Sequence, residues 1–339
     1  MNVLVTGDRG YIGSVLIPLL LEKNYKVTGF DTEFFKTETS PSSNSYRKIT
    51  KDIRAISKAD LKGIDAIIHL SALSNDPMGQ INPNLTSEIN FKSSLRLAKL
   101  AKKNGVRRFL FSSSCSIYGI AKEATVSEES PVNPLTAYAK SKIDTERELK
   151  KLADSSFCVG ILRNSTVYGF SPKFRSDLVV NNLVTTALAF GEIRILSDGT
   201  PWRPLIDVRD LSQIFIEFLN ADSNKINGKI VNVGFEENNF QVKDIVAIIK
   251  KYVSNCKVVY TGEHGKDTRS YKVSFKRFKS IFPRIKQEWT LEKSVKDMIK
   301  NLKKFEFEKK DFEEGDFTRL SVLKKLMSEG FVNERLYWK

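Results

Sequence analysis

The first thirteen residues constrain this chain more than any other stretch. Asn2 to Thr6 is a short apolar run, the loop Gly7-Asp8-Arg9-Gly10-Tyr11-Ile12-Gly13 follows, and an apolar-periodic stretch runs on to Lys23. The pattern predicts strand, glycine loop and helix, which is the first half of a dinucleotide-binding βαβ unit. Gly7 is expected to make the tight turn, Gly10 to let the backbone approach a pyrophosphate, and Gly13 to let the helix pack on the strand. The helix start at Tyr11, Ile12 and Gly13 offers free N–H groups and the positive end of a dipole to phosphate oxygens.

The next segments repeat the rhythm. Tyr25 to Phe30 reads as a strand closed by Asp31. A carboxylate there accepts hydrogen bonds from ribose hydroxyls and repels a 2′-phosphate, so NAD is expected rather than NADP. Arg9 pulls the other way, because a guanidinium in the loop can meet that phosphate; Asp31 carries more weight. A Ser/Pro-rich loop (Ser40 to Ser45) leads to a strand near Tyr46 to Thr50, and Asp52-Ile53 is placed to reach the adenine edge. Asp65 to Leu70 reads as a buried strand, and Leu70-Ser71-Ala72 provides small side chains where backbone passes close to the cofactor. Asn82 to Lys103 predicts a long helix, with strands at Arg107 to Ser112 and Phe157 to Arg163. Strands alternating with helices at this spacing predict an α/β fold, a doubly wound parallel (Rossmann) sheet with ligands beyond the carboxyl ends of its strands.

Chemistry is expected where Ser112-Ser113-Ser114 ends a strand and where Ala137 to Leu152 reads as a helix. A spacing of four puts Tyr138 and Lys142 on one helix face, one turn apart. An ammonium near a phenol favours the phenolate, which is what a general base needs. Beyond a Gly/Pro/Ser segment from Asn164 to Ser176 the βαβ rhythm stops, with polar punctuations at Asp198 to Pro204 and Gly262 to Arg269. The expected organisation is a cofactor-binding domain over residues 1–165, a smaller mixed α/β substrate domain over 166–310 with interleaved elements, and a helical extension over 311–339 with a helix from Thr318 to Ser328.

Composition narrows the classes. A net charge of +15 invites a nucleic-acid partner, but in the most basic region, Lys286 to Lys310, Lys alternates with Glu and Asp as on a solvated helix face. No nucleic-acid motif accompanies it, so none is expected to bind. Cys115, Cys158 and Cys256 are scattered, and His69 and His264 are the only imidazoles, so no metal site is expected and a reducing cytoplasm fits. No apolar run nears the roughly 20 residues that span a bilayer.

The motifs taken in order resemble the extended short-chain dehydrogenase/reductases, specifically the nucleotide-sugar epimerase/dehydratase family. The resemblance covers Asn2 to about Leu302 and rests on Thr6-Gly7-x-x-Gly10-x-x-Gly13, Asp52-Ile53, His69-Leu70-Ser71-Ala72, Ser112 to Gly119, Tyr138-x-x-x-Lys142, Arg163 to Gly169 and Asp198 to Asp210. It implies NAD in the N-terminal domain, a nucleoside-diphosphate sugar in the C-terminal one, and a homodimer paired through the helices Asn82 to Lys103 and Ala137 to Leu152. Tyr138 matches the family's base, Lys142 its ribose-binding lysine, and Ser114 the residue that holds the sugar hydroxyl. Arg203 matches a diphosphate ligand and Arg269 is a second candidate. Ser74, Cys115, Ser116, Asn164 and Thr166 fall at sugar-side positions. Thr166 departs from the Asn of many members. Cys115-Ser116 stands where the 4,6-dehydratases carry Asp-Glu, and the acid/base Cys of the 3,5-epimerases aligns with Ser116. Cys115 is therefore expected to be a packed residue. The expectation is an NAD-dependent nucleotide-sugar epimerase, an isomerase rather than a lyase, acting by transient oxidation at C4 or a neighbouring carbon. A dehydratase, a 4-keto-sugar reductase and a non-catalytic nucleotide- or RNA-binding protein stay as alternatives.

Overall fold

In a computed structural model of the chain, seven parallel strands form one sheet. The structure describes residues 1–39, 45–74, 76–79, 82–121, 123–195, 197–260 and 270–339. Across the sheet the strands run Lys229–Val233, Cys158–Asn164, Arg108–Ser114, Ala66–His69, Asn2–Thr6, Lys26–Asp31 and Arg47–Thr50. The first strand pairs with Lys26–Asp31 on one side and Ala66–His69 on the other, so strand order reverses there. Crevices that take ligands open at such switch points.

Side-chain alternation divides the core into two layers. Val3 and Val5 join Leu16, Ile17 and Leu20 of the helix Gly13–Glu22 on one face. Leu4 faces the other layer with Phe109, Leu97, Ala98 and Leu149, together with Leu323, Val332 and Leu336 from the C-terminus. The extension is thus divided: Leu323, Val332 and Leu336 pack onto the cofactor-side half, while Phe317 packs into a third core. That core, with Tyr168, Leu183, Leu205, Ile245 and Met298, lies under the smaller sheets. The basic run falls largely on the helix Leu291–Lys304, whose buried stripe is Leu291, Val295, Met298 and Leu302. Among the described residues no helix is long and apolar enough to cross a membrane.

The stretch expected as one long helix contains a π-helical segment at Ser87–Lys92 between Pro83–Thr86 and Ser93–Lys103. Asn90, 2 % exposed, sits in this widened turn. Its side chain accepts from Leu73 N (2.8 Å) and donates to Leu73 O (3.1 Å) and Ser141 Oγ (3.2 Å). Its carbonyl accepts the Ser94 hydroxyl at 2.5 Å. Polar side chains therefore take over bonds that a π-turn withdraws from the regular ladder.

His69 ends its strand in a sealed polar relay. The Ser94 hydroxyl is spent on Asn90, so it accepts from His69 Nε2 (2.7 Å), and Nδ1 accepts the Thr6 hydroxyl (2.7 Å). Burial, with the Lys142 charge nearby, pushes the imidazole pKa down to about 3 from 6.5. A folded pKa below the unfolded one gives stability that is present above pH 6.5 and lost as pH falls towards 3. Urea unfolding should lose up to about 1.4 kcal/mol per pH unit across that window through this group. His69→Gln should flatten the slope; an unchanged slope would refute this role for His69.

Candidate active site

Beyond the carboxyl ends of the central strands lies a cavity of about 750 Å³. It gathers residues distant in sequence: Gly7, Gly10, Tyr11, Ile12, Gly13, Asp31, Asp52, Ile53, Leu70, Ser71 and Ala72 at one end, and Ser74, Ser114, Ser116, Tyr138, Lys142, Asn164, Thr166 and Arg203 towards the other. Arg9 and Cys115 are buried outside its lining. Arg269 lies outside the described residues.

The glycine loop leaves no room for side chains. A Cβ on Gly13 would stand 2.3 Å from Gly7 O, and one on Gly7, where φ is +76°, 3.0 Å from Ser71 N. The helix begins at Gly13 with Ile12 as N-cap and no side-chain cap on its first amides. Uncapped helix-start amides facing a cavity fit a pyrophosphate. At the next strand end, Asp31 Oδ1 accepts Glu33 N at 2.7 Å and Oδ2 has no protein donor among the described residues. Burial raises the Asp31 pKa above its ordinary value, which a hydroxyl donor would offset. Arg9 is occupied elsewhere: it donates to Thr50 Oγ1 (2.8 Å) and Ile49 O (2.9 Å) and pairs with Glu33 at 2.7 Å. Asp52 caps the turn Ile53–Ala55 and holds Arg54, with Arg54 Nη2 at 2.6 Å. These residues fit the adenosine diphosphate half of a dinucleotide.

Tyr138 and Lys142 lie on the helix Ala137–Leu152, which starts at a Thr136 N-cap. Lys142 Nζ is 5.5 Å from the Tyr138 ring centroid, 4.8 Å from that of Phe111, and donates to Ser112 O at 2.6 Å. Burial lowers its pKa to about 7, against the opposing pull of Glu146. Glu146, one turn on, is held by Arg163 at 2.8 Å and accepts the Ser113 hydroxyl at 2.5 Å. This buried pair bolts the helix to two strands of the sheet. At the end of Arg108–Ser114, Ser114 Oγ accepts Ser116 N (3.1 Å) and donates to Ser116 Oγ (2.9 Å). Asn164 donates to Ser112 Oγ at 2.9 Å while its buried Oδ1 has no partner among the described residues. Cys115 Sγ donates to Arg163 O (3.2 Å), and burial drives its pKa upward, so it is a packed thiol.

Among the lining residues that escaped the sequence reading are Arg175, Phe35 and Arg319. Arg175 donates to Ser74 Oγ (3.0 Å) and forks onto Asp177 at 2.9 and 3.0 Å. Phe35 and Arg319 line the cofactor end. Arg175 falls in a polar irregular segment and Arg319 at a helix start near the C-terminus, and neither position announces burial locally. Asn90, behind the lining, was hidden because nothing in Ser87–Lys92 signals a π-turn.

Residues 3–234 match the NAD dependent epimerase/dehydratase family. A UDP-glucose 4-epimerase of Bacillus subtilis is 27% identical over 289 residues, covering 77% of this chain and 84% of that protein. Among solved structures, TunA, an NAD-dependent NDP-hexosamine 5,6-dehydratase of tunicamycin biosynthesis, superposes with a TM-score of 0.80 at 22% identity, covering 89% of this chain and 98% of its own. The UDP-glucuronic acid 4-epimerase of Bacillus cereus, in complex with UDP-glucuronic acid and NAD, gives 0.78 at 23% identity, covering 90% and 99%. About a tenth of this chain thus extends beyond each of these folds. The chain belongs to the NAD dependent epimerase/dehydratase family, and NAD is its cofactor.

Proposed function

We propose that the protein is a nucleotide-sugar epimerase that oxidises a sugar hydroxyl, most simply at C4, and reduces the ketone on its opposite face. The observation that carries this reading is the Tyr138–Lys142 pair, set beside the strand end at Ser114 in a cavity that continues from the glycine loop to Arg203. NAD bound there supplies the hydride acceptor and then the donor. Tyr138 takes the hydroxyl proton, Lys142 holds the phenolate and a ribose hydroxyl, and Ser114 orients the sugar. Arg203, whose Nη1 also donates to Trp202 O at 2.9 Å, contacts the diphosphate of the sugar nucleotide. Two copies pair through the helices that include Ser93–Lys103 and Ala137–Leu152.

The cavity's acids favour epimerisation over loss of water. Its lining carboxylates among the described residues are Asp31, Asp52, Asp76 and Asp177. Asp52 is bound to Arg54, Asp76 to Thr136 (2.5 Å) and Asp177 to Arg175, while Asp31 stands at the adenosine end. Ser116 and a buried Cys115 occupy the place of an acid pair, and elimination needs a base at one carbon and an acid at the leaving oxygen.

With NAD and a panel of UDP-, GDP-, CDP- and dTDP-sugars, the enzyme should interconvert two sugar nucleotides of equal mass. Tyr138→Phe should lower turnover by about 10²–10⁴-fold while substrate still binds. A product lighter by one water would replace this reading with a dehydratase, and net consumption of NAD(P)H with a reductase.

Asp31 sets the preference for NAD. Asp31→Ser should narrow the affinity gap between NAD and NADP by about tenfold, the effect of one like-charge contact of roughly 1.4 kcal/mol. Calorimetric titration of both dinucleotides checks this, and an unchanged ratio would reassign the selectivity.

A further inference from the structure

The C-terminal segment reaches the cofactor end of the cavity. Trp338 Nε1 donates to Thr32 O at 2.7 Å, on the loop that follows Asp31. The Arg54 guanidinium stacks 3.6 Å from the Tyr337 ring centroid and donates to Leu336 O at 3.3 Å. Thr32 and Ile53, beside these contacts, line the cavity. The tail therefore closes over the loop and the turn that face the adenosine half of the site.

On the same cavity wall, Arg319 is 2 % exposed. Its Nη2 donates to Lys173 O at 2.8 Å, and its guanidinium sits 4.3 Å above the Phe35 ring. Nε and Nη1 have no protein acceptor, and no carboxylate lies within ion-pair distance among the described residues. The neighbouring Asp177 is already forked by Arg175. Burial and the like charge of Arg175 lower the Arg319 pKa to about 9, against the opposing pulls of Asp177 and Asp31. Both arginines act electrostatically on Tyr11, in the glycine loop. A buried guanidinium with unspent donors is costly unless an anion completes it.

We propose that Arg319, with Arg175 behind it, binds the diphosphate of the dinucleotide, so that the C-terminal segment latches the cofactor into its site. A sugar nucleotide offers the same diphosphate chemistry. The stack on Phe35 and the proximity to Asp31 place Arg319 on the dinucleotide side. A latch suits a reaction in which the hydride returns to its source and the cofactor never needs to leave. The inference rests on the glycine loop being the dinucleotide site and is independent of which sugar is turned over.

The test uses the full chain stripped of cofactor, with Arg319→Met, which keeps the apolar stem on Phe35, and Arg319→Lys, which keeps a cation. Calorimetry or competition would follow NAD, ADP-ribose, adenosine and UDP. Arg319→Met should weaken NAD and ADP-ribose by about ten- to a hundredfold, the range of one charge-assisted hydrogen bond. Adenosine and UDP should stay within about twofold, and Arg319→Lys should recover part of the loss. The ratio of ADP-ribose to adenosine affinity separates a phosphate contact from a general weakening of the fold. Unchanged NAD affinity overturns the proposal. Equal loss for adenosine would reduce Arg319 to a packing residue, and loss confined to UDP would move it to the sugar nucleotide. No readout depends on turnover, so failure of the epimerase reading leaves the test intact.

Discussion

The close approach of Gly13 to the backbone of Gly7 fixes the rest of the structure. A Cβ there would sit 2.3 Å from Gly7 O, so any other residue would push the first helix off the loop. That seating aims the uncapped start of Gly13–Glu22 at the crevice between the first strand and Ala66–His69. The crevice exists because strand order reverses at the first strand, and the helix supplies the electrostatics that suit phosphate. Everything that contacts a dinucleotide is placed relative to this junction.

A second constraint keeps the helix Ala137–Leu152 in register with the sheet. Lys142 is 4 % exposed, and the Glu146–Arg163 pair one turn away is likewise buried. Removing one partner would strand the other charge in the core at a cost of about 3–5 kcal/mol. The pair does more than hold the helix. The Glu146 carboxylate resists the loss of charge that burial imposes on Lys142, and its hydrogen bond to Ser113 steadies the strand that ends at Ser114. On the far side of the same helix, Asn90 joins Ser141 to the Leu73 backbone. The Tyr138 phenol is thus carried on an element pinned from two sides, which suits the proton transfer proposed for it.

What was legible in the sequence is what local pattern controls. Strand, loop and helix at the N-terminus followed from apolar runs and glycine spacing, and Ala137–Leu152 was legible as a helix, though its Thr136 cap was not noted. The parallel sheet followed from the alternation of elements. The opacity lay where tertiary packing decides. Arg9 sits in the loop like a phosphate ligand, yet strand carbonyls and Glu33 claim its guanidinium. Arg175 and Arg319 look like ordinary surface cations until the segment after Gly169 and the C-terminal helix fold inward. The π-turn at Ser87–Lys92 has no glycine or proline to announce it; only the side-chain bonds of Asn90, Ser93 and Ser94 show why it is stable there.

The distribution of buried charge ties these observations together. Asp52, Asp76 and Asp177 on the cavity wall are each engaged by a protein donor, and Tyr138 lies beside a lysine of lowered pKa. Around Arg175 and Arg319 the balance tips the other way: Asp177 pairs with Arg175, while Asp177 and Asp31 act on Arg319 only at longer range. A ligand that supplies negative charge there would offset the cost of that excess. Binding that neutralises a buried cation also raises stability in proportion to ligand occupancy. On the proposed epimerase reading the cofactor is regenerated in each cycle, which would keep that occupancy high.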